Sequence, residues 1–234
     1  MESNAFLECP DLKEIHFPAS VKELGKSDYC PKLETITIAK DNPVYYCPDG
    51  SNAVIEKESD ILLIGCNGTV IPKTVKAIDR EAFAHLSGLK SIVIPNSVER
   101  ICYDAFTDCV SLESVSIPRS VKYIGIYHAD EEPSKYDTNM NAFTYCPNLK
   151  KITVAALNPV FDSRGDCNAI IESKTNTLLV GCSGTDEPET VNHIYDSAYD
   201  TNKDNPWKPD YLSTKWVFPD GDLSHSYIVG DPDD

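Results

Sequence analysis

A register of 23 residues runs through this chain, and it constrains the possible folds more than any other feature. Phe83 and Phe106 stand 23 apart, as do Leu89 and Leu112, Ile92 and Val115, Ile94 and Ile117, Pro95 and Pro118, and Val98 and Val121. The shared pattern reads A-F-x-x-[CL]-x-x-L-x-x-[IV]-x-I-P-x-S-V-x-x-I. The first unit shows it from Ala5 and Phe6 through Cys9, Leu12, Ile15, Phe17, Pro18, Ser20, Val21 and Leu24, and another begins at Ala142, Phe143 and Cys146. Two units depart from it: Leu86 replaces the Cys of the third, and Lys26-Ser27 replaces the Ala-Phe of the second.

A longer period lies over the short one. Residues 30–83 match residues 146–199 without a gap at an offset of 116, with 24 of 54 positions identical. Among the identical pairs are Asn42/Asn158, Pro43/Pro159, Cys66/Cys182, Pro72/Pro188 and Val75/Val191, so a block of several repeats has been duplicated. In both copies roughly 32 residues split one unit between its I-x-I stretch and its Pro. Each insert holds two apolar runs around a polar tetrad, Lys57 to Asp60 or Ser173 to Asn176, which predicts a β-hairpin with a four-residue loop. Both runs are too apolar to stand in water, so the hairpins are expected to pack on the flank of the array.

Side-chain directions explain how such a unit folds. In L-x-x-I-x-I the last two apolar residues face the interior while the residue between them faces out. The Pro that follows has no N–H to donate and ends the strand. Ser-Val-x-x-Ile returns along the opposite face, and A-F-x-x-C makes the turn that closes the coil. One unit cannot bury its apolar positions alone, whereas stacked units share a continuous core. Parallel strands are therefore predicted at 33–38, 89–94, 112–117 and 149–154.

The combination of A-F-x-x-C, L-x-x-I-x-I-P and S-V-x-x-I resembles the BspA-like leucine-rich-repeat family of bacterial surface proteins and some protist ones. The resemblance covers about residues 5–199. The expected fold is a leucine-rich-repeat right-handed β/α solenoid with short parallel strands and two inserted β-hairpins. Residues 1–199 would form the solenoid, and 200–234, where Leu212, Trp216, Phe218 and Pro219 keep a distorted pattern, a degenerate last repeat and C-terminal cap. Residues 126–141 lengthen the fourth unit as a surface loop. The resemblance further implies protein binding or adhesion at the cell surface or outside the cell. It supplies no catalytic residues.

Charge narrows the partners. The net charge of −16 spreads 21 basic residues among 37 acidic ones, which opposes nucleic acid and anionic membrane surfaces alike. No apolar run approaches the length of a membrane span, and the opening MESNAFLECPDLKEI has no signal-peptide pattern. A protein ligand is the expected partner; nothing in the pattern speaks to oligomeric state.

The nine cysteines have ordinary explanations. Cys9, Cys30, Cys109 and Cys146 share one inward position of the closing turn, and Cys66 repeats as Cys182, so a ladder of buried, reduced thiols is expected. No C-x-x-C pair marks a metal site, and a disulfide among Cys47, Cys102 and Cys167 stays open. None of His16, His85, His128, His193 and His225 sits in a catalytic motif, and no G-x-S-x-G, phosphate loop or dinucleotide fingerprint occurs. Neither catalysis, a metal nor a cofactor is expected. Asn67-Gly68-Thr69 fits a glycosylation sequon, but its copy Ser183-Gly184-Thr185 keeps the Gly and loses the acceptor Asn, which points to a turn using positive φ. Asp200-x-Asn202-x-Asp204 begins like a calcium loop but then has Asn205 and Tyr211 where Gly and Glu belong.

What remains is the outward strand position of each unit. His16, Thr37, Val93, Ser116 and Thr153 occupy it, flanked by Glu14, Thr35, Ser91, Ser114 and Lys151. On adjacent strands they would line one continuous binding face. Two other readings compete with protein binding. A carbohydrate-binding accessory protein would use Tyr45, Tyr46, Phe161, Trp207 and Trp216, and a structural spacer within a longer surface protein would only display another domain. Exposure of those aromatics decides between the first two.

Overall fold

The computed structural model of the protein describes residues 9–24, 30–127, 129 and 141–201. The expectations placed on Ala5, Phe6, Lys26, Ser27, most of the 126–141 insertion and residues 202–234 lie outside the described residues.

Fifteen short strands occur among them. β1 (Glu14–Phe17), β2 (Thr35–Ile38), β3 (Tyr45–Tyr46), β4 (Val54–Glu56), β5 (Ile61–Ile64) and β6 (Ala77–Ile78) come first. β7 (Ser91–Val93), β8 (Arg100–Cys102), β9 (Ser114–Ile117) and β10 (Tyr123–Ile126) follow. β11 (Lys151–Val154), β12 (Phe161–Asp162), β13 (Ile170–Glu172), β14 (Thr177–Val180) and β15 (His193–Ile194) then repeat β2 to β6. Each strand of the second set begins and ends 116 residues after its counterpart, so the duplication seen in the residues is a duplication of structure.

The L-x-x-I-x-I stretches become β1, β2, β7, β9 and β11, all paired in parallel within two sheets. One holds β1 and β2; the other runs β11-β9-β7. The S-V-x-x-I returns become β6, β8 and β10, also parallel. In β1, β2, β7, β9 and β11 the middle apolar residue is buried beside an exposed neighbour, as in the e-B-e-B pattern of Glu14–Phe17, whereas β6, β8 and β10 have no exposed residue.

The inserts are built in differently from the flank packing expected of them. β4 pairs antiparallel with β3 and with β5, and β5 pairs parallel with β6, so the return sheet runs β10-β8-β6-β5-β4-β3. β12 to β15 repeat this arrangement in a separate sheet. The residues of β5 explain the placement. Leu62 points into the main core, while Ile61 packs with Ala77, Cys102, Ile126 and Ala129 on the other face. A strand buried on both sides belongs inside a sheet.

The described closing turns contain no α-helix, and the one helical element among the described residues is a 3-10 turn at Arg164–Asp166. Left-handed residues interrupt each turn, at Glu81 and His85 in one unit and at Asp104 and Asp108 in the next. A helix cannot propagate through them. The backbone groups bond instead to the neighbouring unit: Phe83 N donates to Ala105 O at 2.8 Å, and Phe106 N to Ala142 O at 2.9 Å. This register stacks the rings of Phe83, Phe106 and Phe143 at 5.0 and 5.1 Å, each pair 8° from parallel.

Candidate binding face

The pairing registers decide which outward residues come together. His16 lies opposite Thr37, and its Nδ1 is 2.9 Å from the Thr37 hydroxyl. Val93, Ser116 and Thr153 lie opposite one another across β7, β9 and β11. The flanking Ser91, Ser114 and Lys151 form a parallel row beside them. Val93 is 83% exposed, a large apolar side chain in the midst of small polar ones. Ser116 is exposed and Thr153 half-buried.

The five residues therefore form two rows rather than one, because β2 and β7 belong to different sheets. The two flanks of the insert occupy the edge of β2 that faces away from β1. Cys66 Sγ donates to Glu34 O at 3.1 Å and Cys47 Sγ to Ile36 O at 3.3 Å. Asn67 bridges the two units, donating from Nδ2 to Pro31 O at 2.8 Å and accepting from Gly88 N at 3.0 Å. The sequon asparagine is thus engaged in packing. The repeating motif had signalled an insert here but not that its flanks would divide the face.

Gly68 has a different role from the one expected of it. Its φ is not positive; a Cβ there would lie 2.5 Å from Glu34 O, and one at Gly184 would lie 2.5 Å from Lys150 O. Close backbone approach, not left-handed geometry, requires these two glycines. The left-handed residues are Asn52 and Asn168, whose amides donate to Gly68 O and Gly184 O at 3.1 and 2.9 Å. Thr69 completes the turn by donating to Asn52 O at 2.6 Å and accepting from Cys66 N at 2.8 Å, and Thr185 repeats both bonds.

None of the nine cysteines is joined in a disulfide. Cys30, Cys109 and Cys146 are buried as expected, whereas Cys9 at the start of the array is half-buried. Cys109 Sγ donates to Phe83 O and Cys146 Sγ to Phe106 O, each at 3.1 Å. Burial pushes the Cys146 thiol up to about 12 and that of Cys109 well above its ordinary range. Such groups hold protons at neutral pH and make poor nucleophiles. Cys47 lies 3.4 Å from Ser51, and in the second copy Ser163 lies 3.8 Å from Cys167, the same pair with its members exchanged. Among the described residues, no three His, Cys, Asp or Glu side chains are grouped to hold a metal.

The aromatics proposed for sugar binding are largely interior. Tyr45 and Phe161 are core residues at 6% and 4% exposure. Tyr46 is half-buried, its hydroxyl donating to Asp60 at 2.7 Å. Trp207 and Trp216 lie outside the described residues. Tyr45, Tyr46 and Phe161 form no exposed planar row.

Comparison with known proteins adds the following. The family described as BspA type leucine rich repeat region matches in six copies, over residues 1–47 and 65–163. A leucine-rich repeat protein from Eubacterium ventriosum is similar at 18% identity over 89% of this chain and 63% of that one, with a TM-score of 0.48. The pneumococcal vaccine antigen PcpA is similar at 22% identity over 62% of this chain and 40% of that one, with a TM-score of 0.45. A leucine rich cell surface protein from Faecalibacterium prausnitzii matches at 22% identity over 80% and 48%, with a TM-score of 0.42. The chain thus spans less than two thirds of each of these three proteins. No curated protein matches it.

Proposed function

The chain belongs to the BspA-type leucine-rich-repeat family, and from that premise we propose that it is a non-catalytic protein-binding module working at a cell surface or outside the cell. The repeats would wind as a right-handed solenoid and present their outward strand residues to a macromolecular partner. One observation carries the choice of face. Val93, Ser116 and Thr153 stand in register on three hydrogen-bonded strands, with Val93 almost fully exposed at one end of the row. A rigid, flat row of small residues around an apolar side chain suits a protein surface, whereas a small molecule needs a concave pocket. Burial of Tyr45 and Phe161 weighs against the carbohydrate reading.

The test is capture from bacterial or host surface extracts by the immobilised protein and by a Val93→Glu, Ser116→Glu double variant. Both side chains face solvent, so the variant keeps its fold. It should lose the partner, because two unpaired charges would be buried in the interface. Capture retained by a folded double variant moves the site elsewhere.

A further inference from the structure

Among the described residues β2 has a strand partner on one edge only. Its odd-numbered residues turn their backbone toward β1: Thr35 N donates to Lys13 O at 3.0 Å and Ala39 N to Phe17 O at 2.9 Å. Backbone groups alternate sides along a strand, so Ile36 and Ile38 aim theirs at the other edge, as does the carbonyl of Glu34, whose N–H still donates to Lys13 O at 2.9 Å. The first part of that edge is blunted by the two thiols, Cys66 on Glu34 O and Cys47 on Ile36 O. Among the described residues no side chain continues the series to Ile38, where the edge borders a groove of about 520 Å³. Residues 36–40 line one wall, and residues 45–50 with Asn52 line the other.

We propose that this groove takes an extended peptide segment of a partner protein, added as a strand along the second half of β2. Open strand edges are templates for pairing, and folded proteins normally cover or charge them. Here the insert covers only half of the edge and then turns away, leaving space beside the rest. The volume lies within the range of about 300–1,000 Å³ usual for ligand sites. Main-chain groups give affinity in this mode of recognition while pockets beside the edge read alternate side chains, and a groove with one backbone wall and one side-chain wall supplies both. Its rim carries one charge of each sign, Lys40 and Asp49, on a chain of net charge −16. A neutral or basic peptide fits that field, and a strongly acidic one is repelled.

The second copy has diverged at the same place. Ser163 replaces Cys47 in bonding the strand, donating to Ile152 O at 3.3 Å. Arg164, standing where the first copy has Pro48, folds back onto Asp162 with contacts of 2.6 and 2.7 Å. The proposal therefore concerns the first copy alone. It rests on the reading of the chain as a protein-binding module but uses other residues than the Val93 row.

Random peptides displayed on phage are panned on the wild-type protein, and a synthetic copy of the enriched sequence is titrated against three proteins. Wild type and the Val93→Glu, Ser116→Glu variant should bind it equally, while Asp49→Trp, which fills the groove from an exposed position, should lose about tenfold or more in affinity. Hydrogen exchange on the wild type with saturating peptide should slow at the Ile38 amide, a readout that holds even if Asp49→Trp fails to fold. N-methylation of alternate peptide amides should abolish binding in one phase and spare it in the other. Failure to enrich any peptide overturns the proposal, as does binding without protection of Ile38. Loss in the Val93 variant with retention in Asp49→Trp overturns it too, while supporting the row. Protection of Ile38 by self-association, without peptide, makes a second copy the occupant and equally rejects it.

Discussion

The side-chain amide of Asn42 donates to the carbonyl of Val21, one repeat earlier, at 2.9 Å. The same amide reaches Pro18 O at 3.1 Å, while its oxygen accepts from Val44 N and Tyr45 N at 2.9 and 2.8 Å. Asn158 makes the four equivalent bonds to Val121, Pro118, Val160 and Phe161 in the second copy. Each asparagine stands where the chain leaves the repeat to enter its insert. It satisfies the end of the unit below and the start of β3 or β12 at once, so one side chain ties the insert to the array.

Asn42→Ala removes all four bonds at a fully buried position. Each orphaned buried group costs about 1–3 kcal/mol, less whatever water recovers. The expected loss is about 3–5 kcal/mol by urea denaturation, with a loss of the same order for Asn158→Ala. A change below about 1 kcal/mol at both sites would mean that the inserts hold themselves in place.

The buried thiols predict a dependence on alkaline pH. Cys146 rises from an ordinary 9.0 to about 12 in the fold, and Cys109 rises as well. A group whose value is raised on folding contributes stability that is complete below its unfolded value and is lost as pH climbs toward its folded one. Stability should thus be insensitive to these thiols up to about pH 9 and should fall between there and about 12. Cys109→Ala with Cys146→Ala should flatten that decline. At neutral pH neither thiol should react with iodoacetamide in the native protein, while Cys9 and Cys47, both half-buried, should react first.

The ring stack supplies a third prediction. Phe106 lies between Phe83 and Phe143 with no exposed surface, and Leu112 of the same unit is likewise fully buried. Phe106→Ala should cost about 3–5 kcal/mol and Leu112→Ala about 2–5 kcal/mol. Because each repeat touches the next on both sides, hydrogen exchange should quicken in the units before and after as well. Loss confined to residues 105–117 would show that the repeats unfold independently.

Periodicity made the strands and the core legible because inward positions are read directly from apolar spacing: Ile15, Ile36, Ile92, Val115 and Ile152 are all buried. The duplication was legible for the same reason. What escaped were relations that leave no periodic trace. Nothing in the residues 42–72 says that β5 will join the return sheet, because both of its faces are apolar and either side would serve. The division of the outward face arises from the packing of Cys47, Cys66 and Asn67 against β2, contacts between positions far apart in the chain. Among the left-handed residues of the closing turns, Glu81 and Tyr145 carry side chains that do not advertise such a backbone.

Two glycines of the inserts should respond in opposite ways to the same substitutions. Gly68 has ordinary φ but no room, with Glu34 O 2.5 Å from any Cβ. Gly165 has room on every side but a φ of +65°. Gly68→Ala therefore overpacks against backbone and should cost about 1–3 kcal/mol, whereas Gly165→Ala incurs only the left-handed penalty of about 1–2 kcal/mol. Asparagine separates the causes, since it tolerates left-handed backbone yet is larger than alanine. Gly165→Asn should recover most of the loss seen with alanine, and Gly68→Asn should be worse than alanine. Gly184→Asn should follow Gly68, because its Cβ would meet Lys150 O at the same 2.5 Å. Urea midpoints for the five variants measure the contrast. Recovery by asparagine at Gly68 would place the constraint in φ, and no recovery at Gly165 would place it in packing.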